Sequence, residues 1–371
     1  MTKLKVLQLT ISLNKSVQQF DLFEEVARGF NHSDFDFTFG ILTGEKNQTA
    51  IDRLPCQTVF FDYKRNHIAG IIPRALPALY RYIRDNNFDV VIVHRYKLSY
   101  MLALIAPFLV NCRRVISVFH GMKEFDRKRR QVMGKIFYTK KWRIVGVSQA
   151  VVDDLERKGL SPDRLALIRN SIDTKELTKH QLSKDDARTA LRLPANKLLI
   201  GSLGRVKPVK GHDLLVEAFA PLCATNNDIH LVIMGGGEFE PTLTKIAADL
   251  NITDRITITG DLPNGYRYLT ALDIFIMPSR SEGLPIAMLE AMATGLPTIG
   301  SSVGGIPEAL GGDGVVIEPL SVSEITKSLL QLVNTGEAGR LAMGQKLRQR
   351  INDKFSIDTY HEAYRKLATE N

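Results

Sequence analysis

Short runs of β-branched and apolar residues alternate with helical patterns along the whole chain. This alternation is typical of a doubly wound α/β sheet, in which helices cover both faces of parallel strands. The predicted strands are 5–9, 35–41, 58–61, 90–93, 114–119 and 143–147 in the first half, and 198–203, 230–234, 256–259, 274–277 and 298–300 in the second. Each half therefore predicts its own Rossmann-like sheet.

The chain of 371 residues is too long for one ordinary core and fits about two domains. The segment 173–186 is polar, lacks a sustained apolar stripe and carries seven charges, so we predict a linker there. Near the C-terminus, Ile357, Tyr360, Tyr364 and Leu367 recur at helical spacing, which predicts an amphipathic closing helix over 356–371. We expect two lobes with a cleft between them.

Several classes of protein are disfavoured by composition. The longest apolar run, 100–110, has 11 residues and contains Pro107, whereas a membrane-spanning helix needs about 20 apolar residues. The N-terminal stretch is interrupted by polar residues and lacks a cleavage site, so we interpret it as a strand rather than a signal peptide. The three cysteines have no paired spacing, which argues against a disulfide framework or zinc site. We expect a cytoplasmic protein.

The segment EGLPIAMLE, 282–290, predicts the start of a helix. Gly283 and Pro285 do not suit a helix interior, but Pro285 suits the first helical position, and the following residues favour helix until Gly295. Glu282 then lies just before the helix, and Glu290 lies about a turn and a half inside it.

The free N–H groups of such a helix start favour an anion, and those of Ile286 and Ala287 could hold a phosphate. Pro285 has no N–H to donate. Ionised carboxylates only accept hydrogen bonds, so Glu282 and Glu290 would face hydroxyl donors such as sugar diols. The alternative is that Glu282 is a charge favouring the helix dipole and Glu290 lies on a solvated helix face.

A basic loop precedes another predicted helix within GSLGRVKPVKGHD, 201–213. It follows a predicted strand and carries Arg205 and Lys210. Arginine binds a diphosphate in bidentate fashion and lysine acts as a point charge, so the two cations could compensate the anion. The alternative is an ordinary solvated surface loop.

Together these segments resemble the retaining GT-B glycosyltransferases of family 4 (group 1), which combine a G-R-x(4)-K-G loop with an E-x(7)-E segment in the second domain. The matching residues are Gly204, Arg205, Lys210, Gly211, Glu282 and Glu290. The resemblance includes MGGGEFEP at 234–241, TGDL at 259–262 and VGGIPEAL at 303–310, and it extends only loosely into the first half. It implies two Rossmann-like domains facing across a cleft: an acceptor-binding domain at 1–172 and a nucleotide-sugar-binding domain at 187–355, with the helix 356–371 returning to the first domain.

The resemblance also implies roles for individual residues. Arg205 and Lys210 would contact the donor diphosphate, Glu290 the nucleotide ribose, and Glu282 hydroxyls of the transferred sugar, with the base near 260–262. The implied donor-binding residues are Gly204, Arg205, Lys210, Leu262, Glu282, Gly283, Leu284, Ile286, Ala287 and Glu290. Many members have glycine in place of Pro285, which leaves open how many amides donate there.

In the first half, VISVFHG at 115–121 ends a predicted strand with His120. Open α/β sheets place ligand-binding groups at such strand ends. The family has a functional histidine in a similar context close to the donor sugar, so the resemblance implies His120, Glu282, Arg205 and Lys210 as catalytic residues. His94 ends the preceding strand and is a rival, and either histidine could simply be packed at its strand end.

Some features depart from the family or suggest other chemistry. NSID at 170–173 has Ser171 where the family has glycine, and the loop 12–20 lacks the usual Gly-Gly pair and offers Lys15 instead. Asp34 and Asp36 form a D-x-D pattern, but this pattern leads into a predicted strand with alternating Phe35, Phe37 and Phe39, and we expect no metal site there. No G-x-G-x-x-G spacing is present, so we expect neither hydride transfer nor a bound cofactor.

Much of the net charge of +9 lies in 121–143, which holds nine Lys or Arg residues against two acids. Its apolar residues include Phe125, Val132, Ile136, Tyr138 and Trp142, as expected for an amphipathic stretch on an anionic membrane. A solvated helix face is the alternative. Nucleic acid is not expected because no recognised binding module accompanies the charge.

The sequence therefore predicts a glycosyltransferase that moves a hexose-type sugar, with retention of configuration and without a metal, from a nucleotide diphosphate sugar. The acceptor would be lipid-linked or of the lipopolysaccharide or polysaccharide type, at the inner face of the plasma membrane. One alternative is a nucleotide-sugar epimerase or hydrolase of the same fold. Another is a non-catalytic protein that binds membranes or nucleic acid.

Overall fold

The computed structural model describes residues 3–12, 22–44, 52, 54–70 and 73–370. The chain forms two compact units. Unit 1 comprises Met1–Arg169 and Asp358–Asn371, and unit 2 comprises Asn170–Ile357.

Unit 1 is an α/β layer structure around a parallel sheet. Its elements along the chain are β1 Leu4–Thr10, α1 Leu22–Gly29, β2 Phe35–Ile41, β3 Gln57–Phe60, α2 Leu76–Asp85, β4 Val90–His94, α3 Arg95–Ile105, β5 Arg114–Phe119, α4 Lys128–Phe137, β6 Trp142–Gly146, α5 Gln149–Arg157 and β7 Leu165–Leu167. Every residue of β4 and β5 is buried, which is why these strands are nearly continuous β-branched runs. The strand order β3-β2-β1-β4-β5-β6-β7 reverses direction between β1 and β4.

Unit 2 holds a second parallel sheet of the same kind. Its elements are α6 Thr174–His180, α7 Lys184–Ala190, β8 Leu198–Leu203, α8 His212–Thr225, β9 Ile229–Met234, α9 Glu240–Asp249, β10 Ile256–Ile258, β11 Ile274–Met277, α10 Ile286–Thr294, β12 Thr298–Ser301, α11 Ile306–Leu310, β13 Val315–Ile317, α12 Val322–Asn334 and α13 Gly336–Lys354. The strand order β10-β9-β8-β11-β12-β13 reverses direction between β8 and β11.

The last helix, α14 Ile357–Thr369, packs on unit 1. The Tyr360 hydroxyl donates to the carbonyl of Leu22 at 3.3 Å, and the Arg365 guanidinium donates to the carbonyl of Gly29 at 2.6 Å. Arg114 of β5 donates to the carbonyl of Leu367 at 3.1 Å, so it satisfies a carbonyl that the end of the helix leaves without a partner.

The predicted strands are confirmed, with ends that differ by one residue at most, and two short edge strands, β7 and β13, were missed. The predicted linker is wrong, because 173–186 lies in unit 2 and contains α6 and the start of α7. Asp173 and Ser183 cap these two helices with their side chains. Each helix is only seven residues long and buries few side chains, so neither produces an apolar stripe in the sequence.

Within the part of the chain that the structure describes, no helix has both the length and the apolar character that a membrane crossing requires.

Candidate functional site

Two loops meet where the strand order of unit 2 reverses. The first follows β8 and carries the basic residues, and the second follows β11 and leads to α10. In open α/β sheets the crevice at such a reversal, outside the carboxyl ends of the strands, is where ligands bind.

Lys210 and Glu282 are in direct contact at this point. The Lys210 ammonium lies 2.7 Å from Glu282 Oε1, and the Ser279 hydroxyl donates to the same oxygen at 2.7 Å. Glu282 Oε2 has no hydrogen-bond partner among the described residues, and the ammonium retains two further N–H donors. The pair thus presents both an acceptor and donors to a ligand. From the sequence, Lys210 was predicted to contact the diphosphate and Glu282 the sugar, and their ion pair was not predicted.

Two glycines allow the backbone to approach closely around this pair. At Gly211, with φ of 70°, a Cβ would lie 2.0 Å from the carbonyl oxygen of Pro278. At Gly304, with φ of 55°, a Cβ would lie 2.0 Å from the carbonyl oxygen of Glu282. Larger residues would push the loops apart, so these glycines fix the positions of Lys210 and Glu282.

The start of α10 has free backbone donors. Pro285 is the N-cap residue (φ −76°, ψ 121°) rather than the first helical residue, and no side chain of the described residues caps the helix. Ile286 and Ala287 are partly exposed, so their N–H groups can face an anion. The buried Asn170 donates to the carbonyl of Leu284 at 2.7 Å and anchors the chain just before the helix.

Glu290, on the second turn of α10, is buried with 8% of its surface exposed. The alternative that it lies on a solvated helix face is therefore wrong. Burial raises the pKa of Glu290 to about 7, since a carboxylate loses hydration in this position. At neutral pH the group is poised between its protonated and ionised forms, and hydroxyl donors from a ligand would favour ionisation.

The remaining predicted residues of unit 2 lie on neighbouring strand ends. Gly204 directly follows β8, and Arg205 beside it is exposed, with no described residue pairing with its guanidinium. Gly260 forms a backbone bridge with Gly235, which brings the partly exposed Leu262 to the end of β10, two strands from β8.

The two candidate histidines of unit 1 are hydrogen-bonded to each other. His94 Nδ1 lies 3.0 Å from His120 Nε2, and His94 Nε2 lies 2.9 Å from Gln8 Nε2. Burial lowers the pKa of His94 well below its ordinary value, and burial together with Arg95 lowers the pKa of His120 to about 3. Both rings are therefore neutral at physiological pH, next to the reversal between β1 and β4.

Two polar residues that contact Glu282 and His94 were not predicted from the sequence. Ser279 is fully buried and orients Glu282, and Gln8 is fully buried and contacts His94. A glutamine inside the apolar strand LKVLQLT was a usable signal, because a buried amide requires a partner. Lys15 lies outside the described residues, as does most of the loop 12–20.

The basic segment differs from the prediction in one respect. Phe125, Tyr138 and Trp142 are buried in the core of unit 1, so they are not available to a membrane. Val132 and Ile136 on α4 remain exposed, at 54% and 62%. The predicted amphipathic stretch does not form one helix, because α4 ends at Phe137. Tyr138 is the C-cap residue of α4, and Trp142 is the first residue of β6.

Comparisons with known proteins agree with this architecture. The model of "Glycosyltransferase Family 4" matches residues 24–176, and that of "Glycosyl transferases group 1" matches residues 183–352. The chain is 28% identical over 304 residues to UDP-Gal:alpha-D-GlcNAc-diphosphoundecaprenol alpha-1,3-galactosyltransferase of Escherichia coli, an alignment covering 76% of each protein. It is 34% identical over 151 residues to the lipopolysaccharide core biosynthesis mannosyltransferase LpsB of Rhizobium meliloti, covering 39% of this chain and 43% of that protein.

Solved structures share the fold over nearly the whole chain. A glycosyltransferase from Rickettsia africae has a TM-score of 0.82 at 18% identity, covering 100% of both chains. HepE of Anabaena, in complex with UDP and glucose, has a TM-score of 0.81 at 16% identity, covering 98% of this chain and 99% of that one. With a GT-B fold and matches to the two family models in successive halves, the chain belongs to family 4 (group 1) of the glycosyltransferases.

Proposed function

We propose that this glycosyltransferase moves a hexose-type sugar, with retention of configuration, from a nucleotide diphosphate sugar to a lipid-linked or lipopolysaccharide-type acceptor. The observation that supports this most directly is the contact of Lys210 with Glu282 beside the uncapped start of α10. It combines phosphate-binding and hydroxyl-binding groups at the strand-order reversal of one sheet.

In this proposal the donor is held by groups of matching chemistry. Arg205, the Lys210 ammonium and the N–H groups of Ile286 and Ala287 bind the diphosphate. The free oxygen of Glu282 accepts from hydroxyls of the transferred sugar. Glu290 accepts from the ribose, the base lies near Leu262, and His120 contacts a hydroxyl of the substrate sugar.

The acceptor hydroxyl oxygen would bond to the anomeric carbon on the same face from which the diphosphate departs, through an oxocarbenium-like transition state. The bond from the anomeric carbon to the diphosphate oxygen breaks, and that oxygen takes the proton of the acceptor hydroxyl. In this proposal no side chain of the protein acts as a nucleophile toward the sugar. Negative charge grows on the leaving group, and the two cations with the helix start would stabilise it, a preorganised arrangement that usually makes the largest contribution. We propose that these groups replace a divalent metal, so that the enzyme needs no cofactor and activity persists in EDTA.

The relatives guide the choice of substrates. The E. coli relative is named for UDP-galactose and a diphosphoundecaprenol-linked sugar, and the R. meliloti relative for lipopolysaccharide core biosynthesis. A mannosyltransferase of Corynebacterium glutamicum, 31% identical over 187 residues, is named for GDP-mannose. We therefore place UDP-hexoses and GDP-mannose first among donors and polyprenyl-diphosphate sugars first among acceptors.

A thermal-shift screen tests the donor site. We expect one nucleotide sugar to raise Tm, because a ligand at about 100 times its Kd stabilises a protein by about 2.7 kcal/mol. The shift should disappear in Glu290→Ala, whose side chain is proposed to hold the ribose. Glu217→Ala, an exposed carboxylate on α8 of the same unit, should retain it. If UDP-hexoses and GDP-mannose all leave the wild-type Tm unchanged, the proposed donor site is wrong.

We further propose that α4 binds an anionic membrane at the cytoplasmic face, where a lipid-linked acceptor would be found. Lys128, Arg129 and Lys135 are exposed beside Val132 and Ile136, so one helix carries both cations and exposed apolar side chains. Arg130 is engaged within unit 1, since its guanidinium lies 4.3 Å from the Tyr96 ring centroid and donates to the carbonyl of Glu124.

Charge reversal on α4 tests this membrane surface. The triple variant Lys128→Glu, Arg129→Glu and Lys135→Glu should weaken binding to phosphatidylserine-containing vesicles at low salt by at least about 100-fold, because each cation near such a surface contributes about 1 kcal/mol. Lys346→Glu, Arg348→Glu and Lys354→Glu on α13 change the net charge equally and should bind nearly as the wild type. Equal loss in both triple variants would mean that net charge, rather than α4, determines binding.

A further inference from the structure

A buried chain of side chains in unit 1 connects a backbone carbonyl to His120. Gln8 on β1 is fully buried, and its Nε2 lies 3.0 Å from the carbonyl oxygen of Phe23 on α1. The same Nε2 lies 2.9 Å from His94 Nε2, and His94 Nδ1 lies 3.0 Å from His120 Nε2. His94 itself is only 2% exposed. Neither Gln8 nor His94 has a place in the donor site proposed above.

The direction of every hydrogen bond in this chain follows from its first member. A backbone carbonyl can only accept, so the Gln8 atom that contacts Phe23 must be the amide nitrogen. That nitrogen has two N–H groups and no lone pair to offer. Its second N–H must therefore donate to His94 Nε2, which is an acceptor.

A neutral imidazole carries one proton, so His94 holds its proton on Nδ1 and donates it to His120 Nε2. His120 is then protonated on Nδ1, for which the described residues supply no hydrogen-bond partner. Both rings are neutral because burial lowers their pKa values, with Arg95 nearby opposing a positive charge on either ring. The Phe23 ring, 4.1 Å from His94 and 5.4 Å from His120 between centroids, keeps both imidazoles in place.

We propose that His94 is a positioning residue, which with Gln8 fixes His120 as the Nδ1–H tautomer and makes that N–H a hydrogen-bond donor to a hydroxyl oxygen of the substrate sugar. The proposal rests on the sugar contact of His120 proposed above. It specifies that His120 neither accepts a proton at Nδ1 nor acts as a general base there. A hydroxyl oxygen, rather than a hydroxyl hydrogen, is then the group that His120 recognises.

The tautomer can be measured in the wild-type protein. Long-range ¹H–¹⁵N NMR spectra of enzyme labelled at its eight histidines distinguish protonated from unprotonated ring nitrogens. Signals of His94 and His120 are assigned by their loss in His94→Gln and His120→Gln. We expect a protonated Nδ1 and an unprotonated Nε2 on both rings. The opposite tautomer on either ring would overturn the proposal, and this measurement does not depend on any variant at Gln8.

Gln8→Met tests the functional consequence. Methionine has a similar length but cannot donate, so His94 is no longer held in one tautomer. We expect mixed tautomers of His120 and a loss of about 10-fold in kcat/KM, the size of one neutral hydrogen bond. Wild-type kcat/KM in a variant with mixed tautomers would show that the tautomer does not matter and would overturn the proposal.

His120→Ala separates this inference from the proposed sugar contact. If kcat/KM is unchanged in His120→Ala, the contact itself is wrong, whatever the NMR spectra show. If His120→Ala is impaired but the wild-type tautomer is the opposite one, the contact stands and the role of Gln8 and His94 is wrong.

Discussion

Replacing Lys210 with alanine should lower turnover by about two to three orders of magnitude, the usual effect of removing one charge-stabilising donor from a preorganised site. The ammonium lies 2.7 Å from Glu282 Oε1, so it is fixed before the substrate binds and does not need to reorganise as charge develops on the diphosphate. Steady-state kcat, measured with the donor identified by thermal shift, checks this expectation. Arg205→Ala should produce a loss of similar size.

Lys207→Ala is the matched control. Lys207 lies on the same loop, but its ammonium pairs with Glu238 at 3.4 Å and not with Glu282. Its removal should leave kcat within about 2-fold of the wild type, as for most exposed ion pairs. Near-normal turnover in Lys210→Ala would contradict the proposed role of Lys210.

A double variant separates the effect of Lys210 on turnover from its effect on stability. Lys210→Ala leaves the Glu282 carboxylate, only 11% exposed, without its cation, and this alone lowers stability. Adding Glu282→Gln removes the unpaired charge and should restore much of the lost Tm. Turnover should stay low in the double variant, because neither the cation nor the carboxylate is present for the substrate.

Donor affinity should increase about 10-fold between pH 6 and pH 8, because only the ionised Glu290 carboxylate offers both oxygens as acceptors to the two ribose hydroxyls, and its pKa is about 7 in the free protein. The sign follows from the raised pKa: below 7 the carboxyl is mostly protonated, and ionising it opposes binding. Calorimetric Kd values across this range check the expectation. Glu290→Gln should bind the donor more weakly and lose the pH dependence of affinity. Glu217→Gln should retain the affinity of the wild type and its pH dependence.

The raised pKa of Glu290 also predicts how the stability of the ligand-free protein depends on pH. The folded protein binds a proton on Glu290 up to about pH 7, but the unfolded chain releases it near the ordinary value of 4.5, so stability falls as pH rises between these values. The difference amounts to about 3 kcal/mol at most. Glu290→Gln should therefore raise Tm relative to the wild type at pH 8 more than at pH 5. An equal effect at both pH values would contradict the raised pKa.

Glu290 and the Lys210–Glu282 pair show how charges proposed to bind the substrate affect the stability of the ligand-free protein. Glu290 is buried where it destabilises the ligand-free fold at neutral pH, and the hydroxyls of a ligand would relieve that cost. Lys210 and Glu282 compensate each other in the free protein, so their charges remain tolerable until a substrate replaces part of the contact.

Local sequence patterns were enough to predict the two α/β sheets, most strand positions and the residue types of the proposed donor site. β4, β5 and β8 were predictable because strands covered on both faces are continuous apolar runs, and the end of α10 was predictable because Gly295 adopts a left-handed conformation. These are local properties, in which a residue and its immediate neighbours along the chain decide the backbone.

Which of these residues come into contact depends on packing between segments that are far apart in the chain. Lys210 and Glu282 are 72 positions apart and make contact because β8 and β11 are neighbours in the sheet. His94 and His120 meet because β4 and β5 are paired, and Gln8 joins them because β1 lies beside β4. Strand order, and with it the burial of Glu290 and Trp142, depends on packing between distant segments, which no local pattern encodes.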